Sequence, residues 1–125
     1  MTRSALTLAA VGLLAAGCGG NDRPGGTVTA PAGGSVRVAA KEYSFDPSTI
    51  VVRGAGTLDL RLDNKGTLAH NIKVEKDGNV LGGTPAFPAG ESRSATVRLP
   101  KGTYDFLCTV GDHAELGMKG KLKVG

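Results

Sequence analysis

Apolar and polar residues alternate with a period of two through most of the chain after residue 35, and this pattern restricts the fold more than any other feature. Side chains on a β-strand point alternately to opposite faces, so a strand with one buried face shows this alternation. No segment shows a convincing apolar stripe with the 3.6-residue period of a helix. The clearest runs are Leu58–Leu60–Leu62, Ile72–Val74, Ala95–Val97–Leu99, Tyr104–Phe106–Cys108 and Leu122–Val124, with earlier strands at Val36–Val38 and Ile50–Val52.

Turn-forming residues separate these runs. Glycine, proline, asparagine and aspartate favour tight turns because they tolerate or enforce the required backbone angles. They cluster at Asp46–Pro47, Arg53–Gly56, Asn64–Gly66, Asp77–Asn79 and Pro100–Gly102. About seven or eight short strands at this spacing predict an all-β protein, an antiparallel sandwich or barrel.

The N-terminal residues resemble an export signal. Arg3 precedes an apolar stretch from Ala5 to Ala16, which is shorter than the roughly 20 residues of a membrane-spanning helix. We therefore predict a signal peptide at residues 1–17. Ala15-Ala16-Gly17-Cys18 resembles the lipobox of bacterial lipoproteins, although Ala15 replaces the usual larger aliphatic residue. The resemblance implies lipid attachment at Cys18, and the alternative is ordinary secretion with cleavage near Ala16.

The segment 18–34 is rich in glycine and proline and is predicted to be a flexible tether. The folded domain is predicted to span 35–125, exported to the outer face of the cell membrane or the periplasm and held to the membrane by the lipid anchor only. The second cysteine, Cys108, lies inside this domain. A disulfide between Cys18 and Cys108 is the alternative use of both cysteines.

The charge distribution bears on the partners. The chain has a formal net charge of +4 and five aromatic residues, two Tyr and three Phe. Its clearest basic cluster is Lys119, Lys121 and Lys123, whose alternate positions predict the solvated face of an edge or half-buried strand. A nucleic-acid surface is not supported, but a weakly positive face could steer an acidic redox partner.

Four potential metal donors fall near the ends of predicted strands. Cys108, His113 and Met118 form the pattern C-x4-H-x4-M between two strands, and His70 begins the strand at Ile72. Two imidazoles, a thiolate and a weak axial thioether are the donor set of blue copper, whereas zinc prefers four strong donors. Each residue alone could be structural. After Cys18, however, the chain contains only these two His, this Met and this Cys, so we predict one copper ion bound by all four.

Several segments together resemble the plastocyanin/azurin-type cupredoxin family. They are Tyr43–Ile50, Asn64–Gly66, Ala69–Asn71, Gly102–Cys108 and Gly117–Gly120, and the resemblance covers nearly all of 36–124. It implies a Greek-key β-sandwich, one-electron transfer by a mononuclear type 1 copper, and ligation by His70, Cys108, His113 and Met118. It also implies that Asn71 ties the two ligand loops together near the thiolate, and that His113 reaches the surface. Many relatives have Pro-Gly before the second histidine, where this chain has Gly111-Asp112.

Three functions are compatible with these features. We expect a monomeric electron carrier that meets protein redox partners transiently through an apolar patch around His113. Pro85 and Phe87 either contribute to this patch or are loop and core residues. The alternative is a copper chaperone or scavenger that delivers copper to an extracytoplasmic oxidase, although such proteins usually have Met- or His-rich open sites. A metal-free interaction module would require the four donors to be accidental. We predict no enzymatic activity, because type 1 copper has no open position for substrate and a second copper site would need further histidines.

Overall fold

The computed structural model of the chain describes residues 25–125. These residues form ten strands: β1 (Thr27–Pro31), β2 (Ser35–Lys41), β3 (Ser44–Asp46), β4 (Thr49–Arg53), β5 (Gly56–Asn64), β6 (Lys73–Lys76), β7 (Asn79–Gly83), β8 (Ser92–Leu99), β9 (Gly102–Leu107) and β10 (Lys119–Val124). The signal peptide predicted at 1–17 and the lipid attachment predicted at Cys18 lie outside the described residues. Within 25–125, no helix is long and apolar enough to cross a membrane.

The strands form two sheets. One has six strands in the order β1-β4-β10-β9-β6-β7, and the other has four in the order β3-β2-β5-β8. The period-two alternation turns one side of each sheet inward: Leu58, Leu60 and Leu62 of β5 are fully buried, whereas Arg61 between them is exposed. Phe45 and Phe106 meet inside, with ring centroids 5.4 Å apart. The all-β sandwich prediction is therefore confirmed.

The pairing of the strands is less uniform than predicted. The pairs β1–β4, β4–β10 and β2–β5 are parallel, so the prediction of antiparallel sheets is wrong for these three pairs. The alternation pattern shows which side chains are buried but not the direction of the neighbouring strand. The lysines of β10 do alternate with buried residues, as predicted for a half-buried strand, but β10 lies between β4 and β9 and is not an edge.

Three of the ten strands were not predicted from the sequence, namely β1, β3 and β7. The tether prediction for 18–34 is wrong where β1 pairs with β4 along its whole length. Only Ala30 of β1 is buried, so the strand carries almost no hydrophobic signal. Strand β7 is exposed or half-buried throughout, and β3 is only three residues long. The folded part therefore begins earlier than residue 35.

One end of the six-stranded sheet gathers three strand termini. Lys73 at the start of β6 pairs with Leu107 at the end of β9, and Lys119 at the start of β10 pairs with the same Leu107. The segments just outside these termini are therefore neighbours in space. They carry His70, Cys108 and Met118.

Candidate metal centre

All four predicted donors are buried at this end of the sheet. Cys108 directly follows β9, Met118 directly precedes β10, and His113 lies in the turn between them. His70, Cys108 and Met118 are 0% exposed and His113 is 7% exposed. Of the two histidines, only His113 thus reaches solvent.

The ligand atoms of three donors converge. The Sγ atom of Cys108 lies 3.9 Å from Nδ1 of His70 and 3.5 Å from Nδ1 of His113, and one ligand atom from each residue lies within 4.8 Å of the others. If the metal–ligand bonds had the lengths known for zinc, a nitrogen ligand and a sulfur ligand of one trigonal ion would be about 3.8 Å apart. The measured distances lie on either side of this value, so the three atoms fit around one metal ion.

The backbone of the loop from Cys108 to Met118 brings its two ends together. The Cys108 N–H donates to the carbonyl of Met118, and the Met118 N–H donates to the carbonyl of His113, both at 3.1 Å. Gly111 and Gly117 have φ of +48° and +114°, a region that favours glycine. The two glycines therefore permit the tight turn that places His113 and the buried Met118 beside Cys108.

His70 is held by the segment on its other side. Its backbone exchanges two hydrogen bonds with Phe87, at 3.2 and 3.0 Å. The Asn64 side-chain amide donates to the carbonyls of Leu68 and Phe87 at 2.9 and 3.1 Å. Phe87 is only 3% exposed, so it belongs to the core and not to a surface patch around His113, while Pro85 is exposed.

Asn71 connects the two donor-bearing segments. Its Nδ2 donates to Oγ1 of Thr109 at 2.7 Å, and its Oδ1 accepts from the Thr109 N–H at 2.8 Å. Thr109 is the residue after Cys108. Both bonds therefore fix the position of the cysteine relative to His70.

Two residues beside the site were not found from the sequence. Nε2 of His70 lies 3.0 Å from Oε1 of Glu42, and the ring of Tyr43 lies 5.1 Å from that of His113. Both belong to the turn between β2 and β3. The Leu68 N–H, followed by the Thr67 N–H, lowers the pKa of Glu42 to about 2. No spacing pattern distinguishes this glutamate from the other carboxylates, because only the fold brings it to the histidine.

The donor atoms of these side chains indicate which metal the site binds. A thiol and two imidazole nitrogens that converge in a buried pocket, with a methionine adjoining, are typical of a single type 1 copper site. Tying the donor-bearing segments together by hydrogen bonds limits how far they can move apart, which suits a metal that must change charge without changing geometry.

Comparison with known proteins agrees with this chemistry. Residues 32–125 match the family described as copper binding proteins, plastocyanin/azurin family. No curated protein sequence matches the chain significantly.

Solved structures share the fold. An auracyanin from Roseiflexus castenholzii is 24% identical with a TM-score of 0.66, over 73% of this chain and 96% of that one. Auracyanin A, a "blue" copper protein from Chloroflexus aurantiacus, is 23% identical with a TM-score of 0.65, over 77% and 100% of the chains. Rusticyanin from Thiobacillus ferrooxidans is 25% identical with a TM-score of 0.63, over 79% and 82%. Since the family match spans most of the sequence, the chain belongs to the plastocyanin/azurin family of copper-binding cupredoxins.

Proposed function

We propose that the protein is a blue-copper electron carrier in which His70, Cys108, His113 and Met118 bind one copper ion. The observation that carries the proposal is the convergence of the Cys108 Sγ on the Nδ1 atoms of both histidines, at 3.9 and 3.5 Å. The bound copper would supply a one-electron couple between Cu(I) and Cu(II). The thiolate and the thioether suit Cu(I), and the two imidazoles suit both states.

The surrounding residues would keep the donors in place during the redox change. Asn71 and Thr109 link the two segments through the two hydrogen bonds described above. The carbonyl of Met118 accepts from the N–H of Cys108, which extends the pairing of β9 with β10 to the edge of the site. Donors held in this way would move little between the two states, so the reorganisation that slows electron transfer would be small.

His113 is the proposed contact with redox partners. It is the more exposed of the two histidines, and Tyr43 packs beside its ring. Tyr43 is 36% exposed, and Leu116, three residues after His113, is 51% exposed. An apolar surface of this small size suits a brief encounter with a protein partner, the class of interface with little buried area.

We further propose that the domain works outside the cytoplasmic membrane. Residues 1–17 have the composition of an export signal, and Cys18 stands at the position that bacterial lipoproteins acylate. Acylation with two or more chains would hold the domain at a membrane surface. The segment between Cys18 and β1 would then be the tether, which is shorter than the sequence alone predicts.

The visible absorption spectrum of the full chain after addition of Cu(II) tests the proposed function. We expect an intense blue band that ascorbate bleaches and reoxidation restores. Cys108→Ala removes the thiolate and should abolish the band, whereas the matched control Cys18→Ala removes the other cysteine and should keep it. A colourless or weakly coloured copper complex of the unmodified chain would contradict electron transfer through a type 1 site and would favour copper delivery.

A further inference from the structure

The carboxylate of Glu42 accepts two backbone hydrogen bonds and contacts His70, all through a single oxygen. Its Oε1 lies 2.8 Å from the backbone nitrogen of Thr67, 2.8 Å from that of Leu68 and 3.0 Å from Nε2 of His70. The two backbone N–H groups can only donate, so Oε1 is the acceptor in both of these bonds, and a glutamate side chain is ordinarily ionised at neutral pH. An ionised carboxylate has no hydrogen to donate.

The loop before His70 is shaped around this carboxylate. A Cβ atom at Gly66 would lie only 2.5 Å from Oε1 of Glu42 and 2.8 Å from Oε2. Glycine is therefore the residue that allows the loop to approach closely enough for the next two N–H groups to reach Oε1. The carboxylate occupies a defined place between the β2–β3 turn and the loop that carries the histidine.

The two nitrogens of His70 face different partners. Nδ1 faces the Cys108 Sγ at 3.9 Å, and Nε2 faces Glu42 at 3.0 Å. A neutral imidazole carries one hydrogen, and the hydrogen bond at one nitrogen decides which nitrogen is free to bind a metal. Because the carboxylate can only accept, the hydrogen must lie on Nε2, and the lone pair of Nδ1 then points towards the thiol.

We propose that Glu42 is a positioning residue of the copper site: its carboxylate fixes His70 as the Nε2–H tautomer and, through its negative charge, favours Cu(II) over Cu(I). The first half concerns the metal-free protein, and the second half rests on the proposed function. A carboxylate bonded to the outer nitrogen of a metal-binding histidine orients the ring and makes it a stronger donor. The more positive ion gains more from the added negative charge.

Two variants separate this role from simple support of the loop. Glu42→Gln keeps an oxygen that can accept the same hydrogen bonds but removes the charge. Glu115→Gln is the matched control, because Glu115 is exposed and lies two residues after His113 in the opposite ligand segment. Both substitutions remove one negative charge near the site, but only Glu42→Gln removes a charge that contacts His70.

The first measurement is the nitrogen NMR spectrum of the histidine rings in the metal-free full chain at pH 8, where an unperturbed imidazole is neutral. We expect His70 to carry its hydrogen on Nε2. The second measurement is the reduction potential of the copper-loaded chains. We expect Glu42→Gln to retain the blue band and to lose preference for Cu(II) over Cu(I) by about tenfold, a rise of about 59 mV for a one-electron couple. Glu115→Gln should change the preference by less than twofold.

A hydrogen on Nδ1 of His70 in the metal-free chain would overturn the proposal. So would a Glu42→Gln potential that shifts no more than that of Glu115→Gln, because the carboxylate would then serve only the loop. If the unmodified chain gave no blue band, the proposed function would fail, whereas the NMR measurement would still decide the role of Glu42 at His70.

Discussion

Replacing Asn71 by alanine tests whether the site is held together by the hydrogen bonds that join its two segments. The substitution removes two hydrogen bonds. Asn71 Nδ2 donates to Oγ1 of Thr109 at 2.7 Å, and the backbone N–H of Thr109 donates to Asn71 Oδ1 at 2.8 Å. A neutral hydrogen bond contributes about 1 kcal/mol net. Thr109 is exposed, so water can replace its lost partners, and no further penalty for a buried unpaired group is added.

We therefore expect Asn71→Ala to lower the free energy of unfolding by about 2 kcal/mol, which corresponds to a fall in Tm of about 10 °C for a domain of this size. The assay is thermal and urea unfolding of the metal-free chain, because bound copper would add its own stabilisation. Asn79→Ala is the matched control, since Asn79 is exposed in the described structure, and it should change the free energy of unfolding by less than about 0.5 kcal/mol.

A double-mutant cycle isolates the bond between the two side chains. Thr109→Ala removes only the Oγ1 partner of Asn71, whereas the bond from the backbone N–H of residue 109 to Asn71 remains. The coupling between the two substitutions should be about 1 kcal/mol. A coupling near zero, or a loss for Asn71→Ala no larger than for Asn79→Ala, would refute the argument that these bonds hold the segments together.

Two further predictions concern the anchor and the dependence of stability on pH. In cells that acylate lipoproteins, Cys18→Ala should move the protein from the membrane fraction to the soluble fraction, and a chain that remains on the membrane would contradict lipid attachment. The Ser92 hydroxyl, followed by Arg61, keeps the pKa of Asp63 below its usual value. The ionised form of Asp63 therefore stabilises the fold above the unfolded-state pKa of about 4, and this contribution is lost as the pH falls through the lower folded-state pKa. Asp63→Asn should cost about 1 kcal/mol at pH 7 and progressively less below about pH 4 in urea unfolding; a cost that does not depend on pH would contradict this assignment.

The sequence predicts the strands that contribute to the core but not those that merely extend a sheet. Seven strands have a buried, alternating face that the pattern reveals, such as Leu58–Leu62 in β5. Strand β1 buries only Ala30. Its position follows from backbone pairing with β4, and the periodicity of side chains does not predict backbone pairing. The same reason explains the parallel pairs, because burial patterns do not specify the direction of a neighbour.

The candidate site was predictable to the extent that its residues are rare. His70, Cys108 and His113 converge in the structure, and they could be singled out because the chain has only two His and two Cys. Glu42 could not be singled out, because glutamate is common and its contact with His70 spans 28 residues of sequence. The distances depend on how two loops pack, and no local pattern in the chain encodes that packing.

The position of β10 has a consequence for the order in which the molecule can assemble. This strand follows all the others in the chain but lies between β4 and β9, with Thr49 as the partner of Lys121. Until it docks, the larger sheet consists of two separate pieces, β1–β4 and β9–β6–β7. The pairing of β10 with β4 joins segments that are far apart in the chain, and such pairing is slow. Cys108 also lacks its bond to the Met118 carbonyl during that time. The copper site is thus complete only once β10 lies in the sheet, because Met118 directly precedes that strand and its carbonyl accepts the bond from Cys108.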